Sequence, residues 1–406
     1  MKDKQIEKLI KNESGRQGGV INLIASENDT SADVRAALGS IFVNKYAEGY
    51  SKARYYGGNT YIDALEDLTK ARALKLFGIS NKTWSVNVQP YSGSPANLAV
   101  YFALAPLGAK IMGLELNMGG HLSHGHKVSM TGKVWQQVAY GVDKKTETLD
   151  YDEIRRIAQQ EKPVMIVAGF TAYPRAIDFK KFREIADSTG ALLLVDMSHF
   201  AGLVAGKVYP SPFFYADIVM TTTHKTLRGP RSAIIFSKKE FSEKIDKAVF
   251  PGLQGGPHAN QIAATAVALQ EASTPAFKKY ATQIIKNAKA LSDELAARGW
   301  RVISGGTDTH LILVDTQSHG ISGGKASDIL ERAGIIVNKN TIPFDTRSPR
   351  DPSGIRLGTP TVTTRGMREP QMRMIAGLID EALKGALAHA IQKDVARLAK
   401  QFPQQK

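Results

Sequence analysis

Two rhythms of apolar residues alternate along this 406-residue chain. Short unbroken runs such as PVMIVAGF from Pro163, ALLLV from Ala191, DIVM from Asp217 and LILV from Leu311 show no alternation. Runs of that kind read as strands buried on both faces, as in a parallel sheet covered by helices. VNV from Val86, IMGL from Ile111, RVISGG and IIVNKN add further strands. Between them lie segments with helical spacing. A short helix is expected within residues 1–20, another around 31–43, and one near 61–77 with Ile62, Leu65, Leu68 and Leu76 on one side. A long helix is expected over 258–298 and a terminal one from about 367 to 400. KFREIADSTG followed by ALLLVD reads as helix, glycine stop and strand, one step of a βαβ series.

The polar residues that end these strands carry the candidate chemistry. ALLLV runs into Asp196 and His199, and DIVM runs into Thr221, Thr222, Thr223, His224 and Lys225. In open α/β sheets the ligand crevice lies outside the carboxyl ends of the strands. A His-Lys pair alone is ordinarily a solvated loop, and Asp196 alone could cap a helix. Together at two strand ends they match what pyridoxal phosphate requires: a lysine to form an imine with the aldehyde and an acid to pair with the protonated ring nitrogen. A carboxylate about 4 Å from the pyridinium is worth on the order of 4 kcal/mol at an effective dielectric near 20, or about three pKa units. Upstream, Ser92, Gly93 and Ser94 form a turn between a strand and a helix, where backbone N–H groups suit a phosphate. His121, His124 and His126 share no helical face and no acidic residue sits within their cluster, so no metal site is expected.

Length allows two domains, and 43% hydrophobic with 22% charged residues is ordinary for a globular protein. The charged first twenty residues lack a signal-peptide core, and no apolar run is long enough to span a membrane. The chain has no cysteine, hence no disulfide and no thiolate chemistry; a cytoplasmic enzyme is expected. The net charge of +15 is spread along the chain without an arginine-rich arm, so anionic small ligands, and not nucleic acid, are the expected partners.

VDMSHFAGLVAG followed by TTTHKTLRGPR closely resembles serine hydroxymethyltransferase, and the resemblance covers roughly residues 20 to 385. It implies an α/β fold of the aspartate-aminotransferase type: an N-terminal arm (1–45), a large domain with a mostly parallel seven-stranded sheet (46–275) and a smaller α/β C-terminal domain (276–406). The implied reaction converts L-serine and tetrahydrofolate to glycine and 5,10-methylenetetrahydrofolate, with pyridoxal 5'-phosphate on Lys225. The resemblance gives His121 the place stacked on the cofactor ring, with Thr171, Asp196 and His199 around it and Ser92, Gly93 and Ser94 at the phosphate. It places Thr223 and His224 beside the lysine. Ser26 in the intact LIASEN and Arg356 in SGIR would bind the amino acid, Arg356 by its carboxylate.

NKYAEGYSKARYYGG, by the same resemblance, sends Tyr46 and Glu48 into the active site of a partner subunit, lined by Tyr55 and Tyr56. Glu48 becomes the acid–base group near the substrate hydroxyl and the folate, a task for which burial should raise its pKa. Gly255 and Gly256 would help hold the partner's cofactor phosphate, so a homodimer with shared sites, or a tetramer of such dimers, is implied. Leu116, Gly120, His121, Leu122, Asn340, Ser348, Pro349 and Arg350 would border the folate. SPRDPSGIR departs from the commoner bacterial SPFVTSGIR, with Arg350 for an aromatic residue; Ser198 stands where alanine is usual, and Thr171 where serine or another small residue is common. Two other readings use the same residues: a pyridoxal-dependent aldolase or 2-methylserine-type relative with altered folate use, and a basic RNA-binding protein on a degenerate scaffold.

Overall fold

The computed structural model describes residues 1–404. Contacts divide the chain into two compact units, one spanning residues 30–282 and the other joining residues 1–29 to the chain from Gln283 onward.

The larger unit is built on a seven-stranded sheet. Across it the strands run Trp84–Asn87, Ala233–Lys238, Ile218–Thr222, Leu192–Asp196, Met165–Ala168, Lys110–Leu114 and Gln136–Tyr140. The last five are mutually parallel. Every residue of Met165–Ala168 and Ile218–Thr222 is buried, which is why these segments carry no polar alternation. Ala233–Lys238 is antiparallel to both of its neighbours. The chain reaches it from Thr222 through a loop closed by the Thr223 N–H on the Ser232 carbonyl, without a crossover helix, and a return of that kind can only pair antiparallel. Val100, Tyr101, Ile111, Val167, Leu194 and Met220 belong to the core under the sheet.

Two expectations for the larger unit need correction. The helix around 31–43 is shorter, Ala32–Leu38, followed by a 3-10 turn at Ile41–Asn44. Helix Thr60–Phe77 forms as expected, but its inner face is Ile62, Glu66, Thr69, Ala73 and Leu76, while Leu68 is exposed. The stripe is rotated because a buried carboxylate, Glu66, takes the place an apolar residue was expected to fill.

The smaller unit has an antiparallel sheet ordered Arg301–Val302, Leu311–Asp315, Gly354–Gly358 and Asn338–Asn340. Ile21–Asn22 pairs in parallel with Ile335–Ile336. Leu295, Ile312, Leu357, Ile375 and Val395 belong to its core. The long helix expected over 258–298 is two, Ala259–Ala272 and Pro275–Ala297. Pro275 disfavours helical geometry at the residue before it, and the Thr274 hydroxyl accepts from the Phe277 N–H at the new N-terminus. The terminal helix is likewise divided, into Glu369–Leu383 and Ala388–Gln401, where Gly385 takes a left-handed φ of 99°. No helix among the described residues is long and apolar enough to cross a membrane.

Candidate active site

Asp196 and Lys225 emerge from the carboxyl ends of adjacent parallel strands, with Asp196 opposite Met220 in register. Four further bonds stitch the two strand ends together. The Met197 N–H donates to the Met220 carbonyl (2.9 Å), and the Thr222 N–H donates to the Ser198 hydroxyl (3.0 Å). The Thr226 hydroxyl donates to the His199 carbonyl and accepts from the Gly202 N–H, both at 2.9 Å. A Cβ at Gly169, whose φ is 138°, would run into the backbone of Asp196, so the end of the neighbouring strand is also fixed by close approach.

Asp196 is 7% exposed and richly bonded. Its Oδ2 accepts from Asn97 Nδ2 (3.0 Å) and His124 Nε2 (3.1 Å), and its Oδ1 from the Ser198 N–H (3.1 Å). Burial pushes the Asp196 carboxyl up, but the His124 hydrogen bond and charge, with Lys225 and His121 nearby, hold it well below the usual carboxylate range. Asn97 also donates to Ser123 Oγ (2.9 Å), which lies 2.6 Å from His121 Nδ1. A bonded chain therefore runs from the His121 ring to the Asp196 carboxylate. Asn97, Ser123 and His124 were not among the expected site residues, apart from His124's place in the histidine cluster. Among the described residues no group of three or more His, Asp or Glu side chains could hold a metal.

The Lys225 amine donates to Thr222 Oγ1 at 3.1 Å. Thr223, expected beside the lysine, turns its hydroxyl to the Pro230 carbonyl (2.6 Å) instead; the neighbouring threonine meets the amine. Burial, then the charges of Lys225 and Arg231, lower the His224 pKa to about 3, so its imidazole is neutral at physiological pH. His199 is buried beside Asp196 in sequence. Helix Gly93–Leu104 begins at Ser92, whose side chain makes no cap bond; the Ala96 N–H donates to the Ser92 carbonyl and Pro95 has no N–H, which leaves the Gly93 and Ser94 amides without an intrahelical acceptor. A Cβ on Gly93 would lie 2.7 Å from the Thr222 methyl, which packs that turn against the strand leading to Lys225. The Thr171 hydroxyl donates to the Gly120 carbonyl (2.7 Å), and Gly120 itself is closed in by the Leu114 carbonyl. Leu116 is half-buried there and Leu122 exposed.

A second cluster forms around Glu48. The Tyr46 hydroxyl donates to Glu48 Oε1 (3.3 Å), and the Tyr46 and Tyr56 rings meet edge to face at 5.1 Å. Glu48 lies against Gly255 and Gly256. Glu48, Tyr55, Phe250, Gln254 and Gly255 line an open groove of about 560 Å³. Gln254 and Tyr91 fasten this glycine loop to the chain just before the Ser92–Ser94 turn: Gln254 Oε1 accepts from the Tyr91 N–H, and the Tyr91 hydroxyl donates to the Gly256 carbonyl. Tyr46 and Tyr56 are exposed and Glu48 is half-buried.

In the smaller unit Arg356 sits on strand Gly354–Gly358, not in the preceding loop, and its Nε donates to Asn338 Oδ1 (3.0 Å). Burial lowers its pKa to about 10, which leaves it cationic at neutral pH. The segment holding Ser26 lies along the end of this strand, where the Gly358 N–H donates to the Leu23 carbonyl and Gly358 packs on Ala25. Asn340 lies on the adjoining strand, and Ser348, Pro349 and Arg350 are exposed in the following loop.

Comparison with known proteins decides the family. The family model described as serine hydroxymethyltransferase matches residues 1–379. The chain belongs to the serine hydroxymethyltransferase family. Relatives named serine hydroxymethyltransferase include those of Koribacter versatilis, 54% identical over 94% of this chain and 89% of the relative, and Acidobacterium capsulatum, 52% identical over 99% and 94%. A third, from Desulfotalea psychrophila, is 51% identical over 99% and 94%. Serine hydroxymethyltransferases are fold type I pyridoxal phosphate enzymes that take tetrahydrofolate as co-substrate. The donor set fits that cofactor: a buried carboxylate kept ionised, a lysine amine on the adjoining strand end, and a helix start that offers the Gly93 and Ser94 amides.

Proposed function

We propose a division of labour for the family's reaction, the reversible conversion of L-serine and tetrahydrofolate to glycine and 5,10-methylenetetrahydrofolate. The observation that carries it is the pairing of Asp196 with Lys225 at neighbouring strand ends. Bound pyridoxal phosphate supplies an electron sink for the bond broken at the substrate α-carbon. Lys225 holds the cofactor covalently, and the ionised Asp196 keeps a proton on its ring nitrogen. Ser92, Gly93 and Ser94 bind phosphate with first-turn amides and hydroxyls. His121, oriented by Ser123, would help hold the cofactor ring, with Thr171 and His199 as further contacts. Thr222 accepts a hydrogen bond from the Lys225 amine and so orients it, with Thr223 bracing the loop beyond it. Neutral His224 adds no charge that would repel a cation.

Arg356 takes the amino-acid carboxylate as a planar fork, with Ser26 as a further donor. Glu48 moves protons between the substrate hydroxyl and the folate, with Tyr46 and Tyr56 around it. Leu116, Gly120 and Leu122, with Asn340, Ser348, Pro349 and Arg350, form the folate surround. The chain works as a homodimer in the cytoplasm. Its Tyr46, Glu48, Gly255 and Gly256 serve the partner's cofactor site, a reading supported by the exposed tyrosines gathered at an open groove.

Mixing two inactive proteins tests the shared site. Lys225→Ala and Glu48→Gln should each lack transferase activity, and refolding them together should restore part of it through hybrid dimers. No recovery would confine each site to one chain. Glycine α-proton exchange with and without tetrahydrofolate tests the transferase reading, since absence of folate stimulation would favour an aldolase.

A further inference from the structure

Arg54, which none of the preceding roles includes, sits buried directly behind Glu48. Its side chain is only 4% exposed, and Glu66 beside it is fully buried. The guanidinium Nη1 donates to the carbonyls of Ala47 (3.0 Å) and Gly49 (2.6 Å), the residues on either side of Glu48. Nε donates to Asp63 (2.8 Å) and Nη2 to Glu66 (2.7 Å). Gln89 repeats the pattern, its Nε2 bridging the Gly49 carbonyl and Glu66 at 3.0 Å each. The intervening Glu48 carbonyl accepts from the Tyr55 N–H (3.1 Å). Three successive carbonyls, 47 to 49, thus have donors, and the two side-chain donors, Arg54 and Gln89, are themselves anchored on helix Thr60–Phe77 through Asp63 and Glu66.

We propose that Arg54 is a positioning residue for Glu48, setting the carboxylate's direction through the backbone on either side of it. The chemistry favours this over a simple ion pair. Arg54 and Lys70 together balance Asp63 and Glu66, since Lys70 Nζ lies 2.7 Å from Glu66 Oε1, so the cluster adds little net field at Glu48. What arginine provides is geometry. A planar fork reaches two carbonyls and two carboxylates at once, and an ammonium with three donors on a flexible stem cannot. The Gly49 φ of 92° gives the chain the turn that this capture needs, and a Cβ there would strike the Ala53 carbonyl.

The inference rests on the reading of Glu48 as the proton-handling group, and the holoenzyme tests both. Arg54→Lys keeps the charge and loses the fork. It should retain cofactor absorbance and folate-independent glycine α-proton exchange within about twofold, while kcat of the folate-dependent reaction falls about tenfold to a hundredfold, the scale of an ångström-level misplacement. The limb of the pH profile that Glu48→Gln abolishes should move in Arg54→Lys. Asp63→Asn, which weakens the brace at its edge, should show a smaller loss in the same direction and keeps the test available should Arg54→Lys fold poorly. Parallel loss of absorbance, exchange and transfer would mark Arg54 as only structural and overturn the proposal, as would unchanged transfer in Arg54→Lys. If Glu48→Gln itself leaves transfer intact, the reading of Glu48 has failed; if Glu48→Gln is impaired and Arg54→Lys is not, only the positioning role has.

Discussion

The Asp196–Lys225 centre and the Glu48 hairpin solve one problem, holding a charged side chain still, by opposite means. At Asp196 the side chain itself is bonded, by Asn97, His124 and the Ser198 amide. Its carboxylate ends a strand buried from Leu193 onward, beside the fully buried strand Ile218–Thr222. At Glu48 the carboxylate is half-buried and its nearest polar partner is an exposed tyrosine, while the backbone on either side is gripped from below by Arg54. A side chain with one fixed electrostatic task gains from being bonded directly, since each charge-assisted bond favours one protonation state. A group that must take up and release a proton cannot be saturated that way. Fixing its peptide units leaves the carboxylate able to change state.

That contrast is broken most severely by Lys225→Ala. Transfer activity should fall to background and the near-visible absorbance of bound cofactor should vanish, read on the purified protein by its spectrum. Glu48→Gln should instead keep the spectrum and lose about a hundredfold or more of transfer, within the usual range for a general acid–base group. Loss of the spectrum in Glu48→Gln would show that the two regions are one. Asp196→Asn comes next. Removing a charge worth about three pKa units should cost about a thousandfold in kcat and weaken cofactor retention, measured by dialysis and absorbance. A decrease below about tenfold would mean that the His124–Asn97 network, and not the carboxylate charge, sets the cofactor's electronics.

The unequal legibility of the two regions in the sequence follows from the same difference. Asp196 and Lys225 stand at the ends of unbroken apolar runs, and a buried strand leaves its mark on consecutive residues. His124 and Asn97 reach the same carboxylate from 72 and 99 positions away, and no local pattern marks such a bond. Three threonines in a row look alike in sequence, and only the Thr223–Pro230 bond fixes that Thr222 meets the amine. Leu68 was placed on the buried face because the periodicity of leucines gives no hint that Glu66 would be paired and interred by Arg54. The break at Pro275 has a local signal, since proline restricts the residue before it, but helical spacing on both sides hides it and predicts one continuous helix.

A smaller effect separates the regions by pH. His224 in the folded protein titrates at about 3, against about 6.5 when unfolded. Between those values the unfolded chain binds more protons, so stability rises with pH and is progressively lost on acidification from about 6.5 toward 3. His224→Asn should flatten that part of a plot of melting temperature against pH, whereas Glu48→Gln should leave the His224-dependent slope in place. An unchanged slope in His224→Asn would mean that the imidazole does not stay neutral in the folded site.

The finest distinction concerns Thr171, whose hydroxyl donates to the Gly120 carbonyl, 2.7 Å away, with the Gly119 carbonyl also within reach. Gly120 is hemmed in by the Leu114 carbonyl and has no room to shift toward it, so the hydroxyl acts as a latch on a loop that also holds His121. Thr171→Ser keeps the latch and removes a methyl; it should leave kcat and cofactor affinity within about twofold, as expected for a change that removes no hydrogen bond. Thr171→Val keeps the volume and removes the donor, which should cost about 1 kcal/mol, or roughly threefold to tenfold in cofactor affinity, because the carbonyl it leaves behind is enclosed. The order of the two variants is the informative quantity. Serine close to native with valine impaired would make Thr171 part of the bonded framework that fixes His121 and Asp196, whereas serine worse than valine would mean that the methyl packs on the cofactor and that the hydroxyl's backbone bond is incidental.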